Sequence, residues 1–287
     1  MLSIAGTVPF EEFPVVCGET TLSGDTVRID GRSVAVNRGT TALMAASIAT
    51  AETLGLPAPF GCLAGDIGLG KGSRKLYKYL TDYLPDSSFR TLTFHYLQPI
   101  VHWHERLQQT LQKMNETPTL IADAGFMYAA KMSGQSSLYD LFTPDLGELA
   151  FLADEKAPHP FYTRGFILHD ENRVPDLIER AYAHNNAARF LLVKGREDCL
   201  ADRRGILEQV DSPVEEALEA MGGTGDTLTG IVSALINSGM AIERATVVAM
   251  KTNRLAGQYA QPTPATQIME VIRYIPQALS AVLEKGI

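Results

Sequence analysis

Apolar residues recur through the last third of the chain at the spacing of buried helix faces. Leu228, Ile231, Val232, Leu235 and Ile236 fall at i, i+3, i+4, i+7 and i+8, which sets one side of a helix over 227–237 against a core. Gly239 stands where a C-terminal stop belongs. The same rhythm predicts helices over 242–259 and 268–283. Upstream, short apolar runs at 60–64, 91–94, 119–122 and 190–193 read as strands, the last continuous enough to be buried on both faces. Helices are expected between them, over 41–54, from a glycine-rich turn through Tyr83, and over 101–114, 126–131, 146–152 and 174–184. Thr26–Ile29 and 33–36 flank Asp30-Gly31, the signal of a tight hairpin. A second hairpin is expected over 199–207 with Arg203-Arg204 at a solvated tip, while residues 1–22 carry no assignable pattern. Strands separated by helices imply βα units and a mainly parallel sheet covered on both faces, so the fold class is α/β, with 1–287 as one domain.

Composition narrows the partners. The net charge of −8 and pI near 5.3 argue against a nucleic-acid partner, which needs a basic face. Cys17, Cys62 and Cys199 are widely spaced with no CxxC, the usage of a reduced cytosolic protein. No run approaches the roughly 18 apolar residues of a membrane span, and the N-terminus lacks a signal-peptide pattern. A cytoplasmic location without membrane contact is the expectation.

Candidate chemistry concentrates where turns meet helices. Gly222, Gly223, Gly225 and Gly230 crowd the stretch that enters the 227–237 helix, and a glycine-rich turn at a helix N-terminus is a seat for phosphate or another anion. Asp226 stands at that point, either as an N-cap or, because a carboxylate beside an anion seat is electrostatically awkward, as a chemical group. Ligands gather at the carboxyl ends of strands in open α/β sheets. That rule singles out Asp123, Lys194-Gly195 and the turn from Asp145 to Glu148, although Lys194 reads equally as a solvated strand-end charge, and Asp145 and Glu148 equally as first-turn acids facing a helix dipole. Gly65 to Lys71 fits G-x-x-x-x-G-K, but the hydroxyl of a P-loop arrives one residue late, at Ser73. A substrate-side loop, with Lys71 or Arg74 meeting an anion, or a structural turn is expected instead. His102 and His104 flank Trp103. At i and i+2 of a helix they point about 200° apart, so they read as surface histidines rather than a metal pair.

Asp123 after a strand, Thr143-Pro144-Asp145-Leu146-Gly147-Glu148, Val193-Lys194-Gly195 and Gly222 to Gly230 before a helix together resemble the ribokinase-like superfamily. Within it the chain is most similar to the carbohydrate-kinase-type branch that contains the ADP/ATP-dependent NAD(P)H-hydrate dehydratases, best from 119 to 259. The resemblance implies a three-layer α/β/α sandwich, ATP or ADP with Mg2+, a small-molecule substrate and a homo-oligomer. It implies that the N–H groups of Gly223, Thr224 and Gly225 form an anion hole and that Asp226 is the catalytic base. Lys194, Gly195, Gly222 and Thr229 would line the nucleotide site, Asp123 would face substrate or metal, Gly39 and Thr40 would lie on the substrate side, and Asp145 and Glu148 would hold the metal. Three stretches depart from the pattern: Asp145 replaces the family's Asn or His, His95-Tyr96-Leu97-Gln98-Pro99 replaces a Gly-Pro-Gly turn, and the glycine-rich N-terminal stretch is reduced to Arg38-Gly39-Thr40-Thr41-Ala42. The activities implied are hydrate dehydration first, then phosphorylation of a sugar or hydroxymethyl compound, then nucleotide binding without catalysis.

Overall fold

The computed structural model describes residues 1–162, 174–263 and 265–286. In chain order its main elements are β1 (Leu2–Val8), β2 (Val16–Ser23), β3 (Thr26–Ile29), β4 (Arg32–Ala35), α1 (Thr40–Thr53), β5 (Phe60–Gly65), α2 (Lys71–Tyr83), β6 (Thr91–His95), α3 (Val101–Leu111), β7 (Thr119–Asp123), α4 (Gly125–Met132), β8 (Leu141–Phe142), α5 (Leu146–Ala153), α6 (Val174–Ala183), β9 (Phe190–Val193), β10 (Asp198–Asp202), β11 (Gly205–Val210), α7 (Thr224–Asn237), α8 (Ile242–Ala260), α9 (Ile268–Ile272) and α10 (Ile275–Glu284). The strands form one sheet in the order β11-β10-β9-β8-β7-β6-β1-β5-β2-β3-β4. From β9 to β5 neighbours run parallel. The β10-β11 hairpin closes one edge and the β2-β3-β4 meander the other, both antiparallel.

Alternate residues of each central strand enter opposite cores. Leu63, Ile121 and Leu192 pack with α1, α7, α8, α9 and α10, while Cys62, Ala64, Ala122 and Leu191 pack with α2 to α6. Two buried faces account for the apolar runs of these strands. A helix layer on each side of a largely parallel sheet gives the three-layer α/β/α sandwich that the resemblance implies. Among the described residues, no helix is long and apolar enough to cross a membrane.

Beyond β8, a two-residue central strand that the apolar pattern does not predict, two stretches differ from the sequence expectation. Residues 1–22 supply β1, buried at every position, and β2. Ser3, Gly6 and Thr7 break the apolar run in β1, but Gly6 has a packing reason. A Cβ there would lie 2.4 Å from the His95 carbonyl and 2.6 Å from the Thr40 side chain. The helix expected over 268–283 is two helices, because Pro276 occupies the first turn of α10, a position that suits a helix start and not an interior.

Candidate functional site

Three parallel strands end in one row. Gly6 of β1 pairs with His95 of β6, and His95 pairs with Asp123 of β7. The chain leaves these ends through left-handed residues, Tyr96 (φ 55°) and Ala124 (φ 52°), and enters α1 through Gly39 (φ 69°). Such conformations cost about 1–3 kcal/mol each for non-glycine residues and cluster at functional sites.

α7 begins at Thr224, with Gly223 (φ 107°) as its N-cap and no side chain capping its first turn. Asp226 is the third residue of that helix, so it is not the cap. Its carboxylate turns away from its own helix: Oδ2 accepts the Gly39 N–H at 2.6 Å, and Oδ1 lies 3.0 Å from His95 Nε2. Gly39 is the N-cap of α1, which also lacks a side-chain cap. The positive ends of two helices therefore converge beside one carboxylate. Burial alone would raise the Asp226 carboxyl. The hydrogen bond and charge of His95, then Lys194 and the Gly39 N–H, outweigh it and hold the group below its ordinary value.

Asp123 is the second hub. Its Oδ1 accepts Lys194 Nζ and the Ala124 N–H, both at 2.8 Å, and its Oδ2 accepts the Thr229 hydroxyl at 2.7 Å. Burial opposes the Lys194 charge, but Asp123 and Glu148 more than offset it and raise the ammonium above its ordinary value. The Lys194 stem lies against Gly225, where a Cβ would sit 3.3 Å from Cδ. Thr229, expected beside a nucleotide, is buried with its hydroxyl on Asp123. Gly195 donates its N–H to Asp198 Oδ1 at 3.1 Å, and Arg254 holds Asp198 Oδ2 at 2.8 Å. Gly222 is exposed beside the Arg38 stem, and Asn253 of α8 fixes the start of α7 by donating to the Thr224 carbonyl at 3.1 Å. Asn253, Arg254 and His95 were not among the sequence candidates. His95 was visible to the same strand-end rule that selected Asp123.

Asp145 and Glu148 form a capping box at α5: Glu148 N–H donates to Asp145 Oδ1 at 2.8 Å and Asp145 N–H to Glu148 Oε2 at 2.9 Å. Among the described residues, the second oxygen of each carboxylate lies outside that box. Desolvation, then the nearby Asp123 and Asp145 charges, working against Lys194, push the half-buried Glu148 carboxyl up to about 8. Crowded negative charge with two free hard oxygens fits a divalent cation. His95, Asp123 and Asp226 also bring potential ligand atoms within 4.8 Å. There, however, the 3.0 Å contact between His95 and Asp226 is a hydrogen bond, and both Asp123 oxygens are engaged.

The P-loop-like turn is occupied by its own chain. Asp66 Oδ1 accepts the N–H groups of Gly68 (3.0 Å) and Gly70 (2.9 Å), and Oδ2 accepts the N–H and hydroxyl of Ser73, both at 2.8 Å. A carboxylate thus sits where a P-loop would hold phosphate, and Lys71 points to Glu11 at 3.0 Å. His102 is exposed as expected, but His104 is buried between Ser133 and Tyr139. His104 shares the inner stripe of α3 with Leu107, Gln108 and Leu111. The Arg203-Arg204 turn joins β10 to β11 beside the start of β9, at the opposite end of the sheet from Lys194.

A family model described as NAD(P)H-hydrate dehydratase matches residues 102–277. An uncharacterized protein of Methanocaldococcus jannaschii is 43% identical over 221 residues, 77% of this chain and 90% of that protein. The ADP/ATP-dependent NAD(P)H-hydrate dehydratase of Bacillus subtilis, co-crystallized with ATP/Mg2+, superposes with a TM-score of 0.56 at 13% identity, covering 99% of this chain and 89% of that one. A ribokinase-like protein of Enterococcus faecalis gives 0.60 at 15% identity over 98% and 87%. The pyridoxal kinase of Bacillus subtilis, in an ADP complex, gives 0.51 at 14% identity over 87% and 88%. With its strand-end carboxylates and uncapped glycine turn set on this fold, the chain belongs to the NAD(P)H-hydrate dehydratase family of ribokinase-like proteins.

Proposed function

We infer that this protein is an ADP/ATP-dependent NAD(P)H-hydrate dehydratase in which Asp226 is the base. The observation that carries the reading is the convergence of the α1 and α7 N-termini on an ionised, inward-turned carboxylate. The first-turn N–H groups of Gly223, Thr224 and Gly225 would take the transferring phosphoryl oxygens, a fixed field that needs no reorganisation as charge develops. Lys194, poised against Gly225, would add positive charge on the same side. Asp226 would accept the proton of the ring hydroxyl of the hydrated nicotinamide as its oxygen bonds to the terminal phosphorus and the shortened nucleotide leaves. Loss of the phosphate, with a proton from the neighbouring ring carbon, would then restore the ring double bond. Asp145 and Glu148 would hold Mg2+, which when bound neutralises polyphosphate charge.

The second reading is a kinase for a small hydroxymethyl compound or sugar, favoured by Asp145 in place of the dehydratases' histidine. Incubation with Mg2+, ATP or ADP, and NADH hydrate separates the two. Return of reduced-nicotinamide absorbance with release of phosphate supports dehydration. A stable phosphorylated alcohol from a substrate panel, with the hydrate untouched, overturns it in favour of the kinase.

A further inference from the structure

Two buried histidines have opposite hydrogen-bond surroundings. At His104 the Ser133 hydroxyl donates to the Ala129 carbonyl (2.8 Å) and so accepts from Nδ1–H at 2.9 Å. The Tyr139 hydroxyl accepts from Gln108 Nε2 and donates to His104 Nε2 at 2.8 Å. One ring proton satisfies every partner, and burial brings His104 down to about 4.

His95 is also fully buried, but its partners ask for two protons. The Thr40 hydroxyl lies 2.9 Å from the Thr7 carbonyl, which only accepts, so its proton is committed there. Thr40 Oγ1 must then accept from His95 Nδ1–H at 2.9 Å. Across the ring, Nε2 faces Asp226 Oδ1 at 3.0 Å and Asp123 Oδ2 at 3.8 Å, and ionised carboxylates only accept. A neutral ring would leave a lone pair against one of these oxygens. The groups facing His95 are Thr40 from α1, Asp226 from α7, Asp123 from β7 with Lys194 behind it, and the adjacent Tyr96 ring, 4.1 Å between centroids. Two carboxylates then balance an imidazolium and an ammonium.

We propose that His95 is a doubly protonated positioning residue that keeps Asp226 ionised and aimed when a nucleotide polyphosphate binds beside it. Its catalytic part rests on Asp226 being the base; its protonation state does not. An arriving anion favours protonation of a neighbouring carboxylate, and a buried fixed cation 3.0 Å away counters that. The family pattern has a glycine turn after this strand, so the device belongs to this chain's departure at 95–99.

Nitrogen-15 NMR of the histidine-labelled, ligand-free protein at neutral pH tests the protonation directly, with His104 as an internal neutral reference. Two protonated ring nitrogens at His95 are expected; a single protonated nitrogen overturns the proposal. Carbon-13 titration of Asp226 in wild type and in His95→Gln, which keeps a donor without the charge, tests the consequence. The Asp226 midpoint should rise by about one pH unit or more in the variant, and an unmoved midpoint overturns the role. In kcat/KM profiles the acidic limb should move up equally, giving about a tenfold loss one unit below the new limb relative to the plateau. A uniform loss without a moved limb marks a purely structural residue and also overturns the role. If no substrate turns over, the two NMR readouts still decide His95 while the dehydratase reading fails alone.

Discussion

The Gly39 backbone N–H donates to Asp226 Oδ2 at 2.6 Å, joining the first turn of α1 to the first turn of α7 across 187 positions of sequence. That bond fixes where the carboxylate points and draws a second helix end into the same site. It depends on a backbone that few residues adopt, since Gly39 has φ 69° and ψ −146° and a Cβ there would lie 3.2 Å from the Tyr96 ring.

Gly39→Ala should therefore destabilise the protein by about 1–3 kcal/mol, the range for a side chain forced into a glycine-only region. Turnover should fall further than stability explains, because the N–H moves off Asp226. Urea unfolding and kcat/KM on the same preparation check both. Unchanged stability would show that the loop relaxes at no cost.

Removing Lys194 leaves Asp123 as a buried carboxylate without its cation. Lys194→Met should cost on the order of 3–5 kcal/mol, as expected when one partner of a buried pair is deleted. Asp123→Asn in the same chain should recover part of that loss. Chemical denaturation of the two single variants and the double closes the cycle; strict additivity would mean that the 2.8 Å contact carries no coupling.

Glu148 gives a pH signature. Its folded-state value near 8 lies above the unfolded carboxylate value near 4.3, so the folded state binds the proton more tightly. Its contribution is full below the unfolded value and is lost as pH rises toward 8. Stability of the ligand-free protein should decline over that window, and Glu148→Gln should flatten the decline by on the order of 1 kcal/mol, discounted for partial exposure. Millimolar Mg2+ should raise the melting temperature of wild type at pH 8 and not that of the variant. Equal Mg2+ responses would remove Glu148 from the metal site.

The Asp66 carboxylate holds its glycine loop from within. Asp66→Ala strands donors of Gly68, Gly70 and Ser73 and should cost about 1–3 kcal/mol. Nucleotide affinity measured by calorimetry should stay unchanged. A large loss of affinity would assign that loop to phosphate after all.

Much of this arrangement was legible in the sequence. Continuous apolar runs such as Phe190–Val193 mark strands buried on both faces, and the strand-end rule singles out Asp123 and Lys194, which the fold brings to within 2.8 Å of each other. The glycine turn was equally plain, though α7 starts at Thr224, three residues before the predicted start at 227, and draws Asp226 into its first turn. β1 escaped because Gly6 and Thr7 interrupt its pattern, and the close approach of His95 and Thr40 that requires Gly6 is a tertiary fact. His95 follows the predicted 91–94 strand and so meets the strand-end rule, but as part of a replaced Gly-Pro-Gly turn it reads as a departure from a motif, and its partners on α1, β7 and α7 are tertiary neighbours. The inward turn of Thr229 depends on side-chain geometry that spacing does not encode, whereas Asp145 followed three residues later by Glu148 before an apolar run is the spacing of the capping box that forms there.

The central claim is that Asp226 takes the substrate proton. Turnover of NADH hydrate by Asp226→Asn, measured beside nucleotide binding by calorimetry, tests it most directly. The predicted result is loss of at least about a hundredfold in kcat, in line with general-base contributions, with nucleotide affinity retained. Wild-type turnover in the folded variant would contradict the claim.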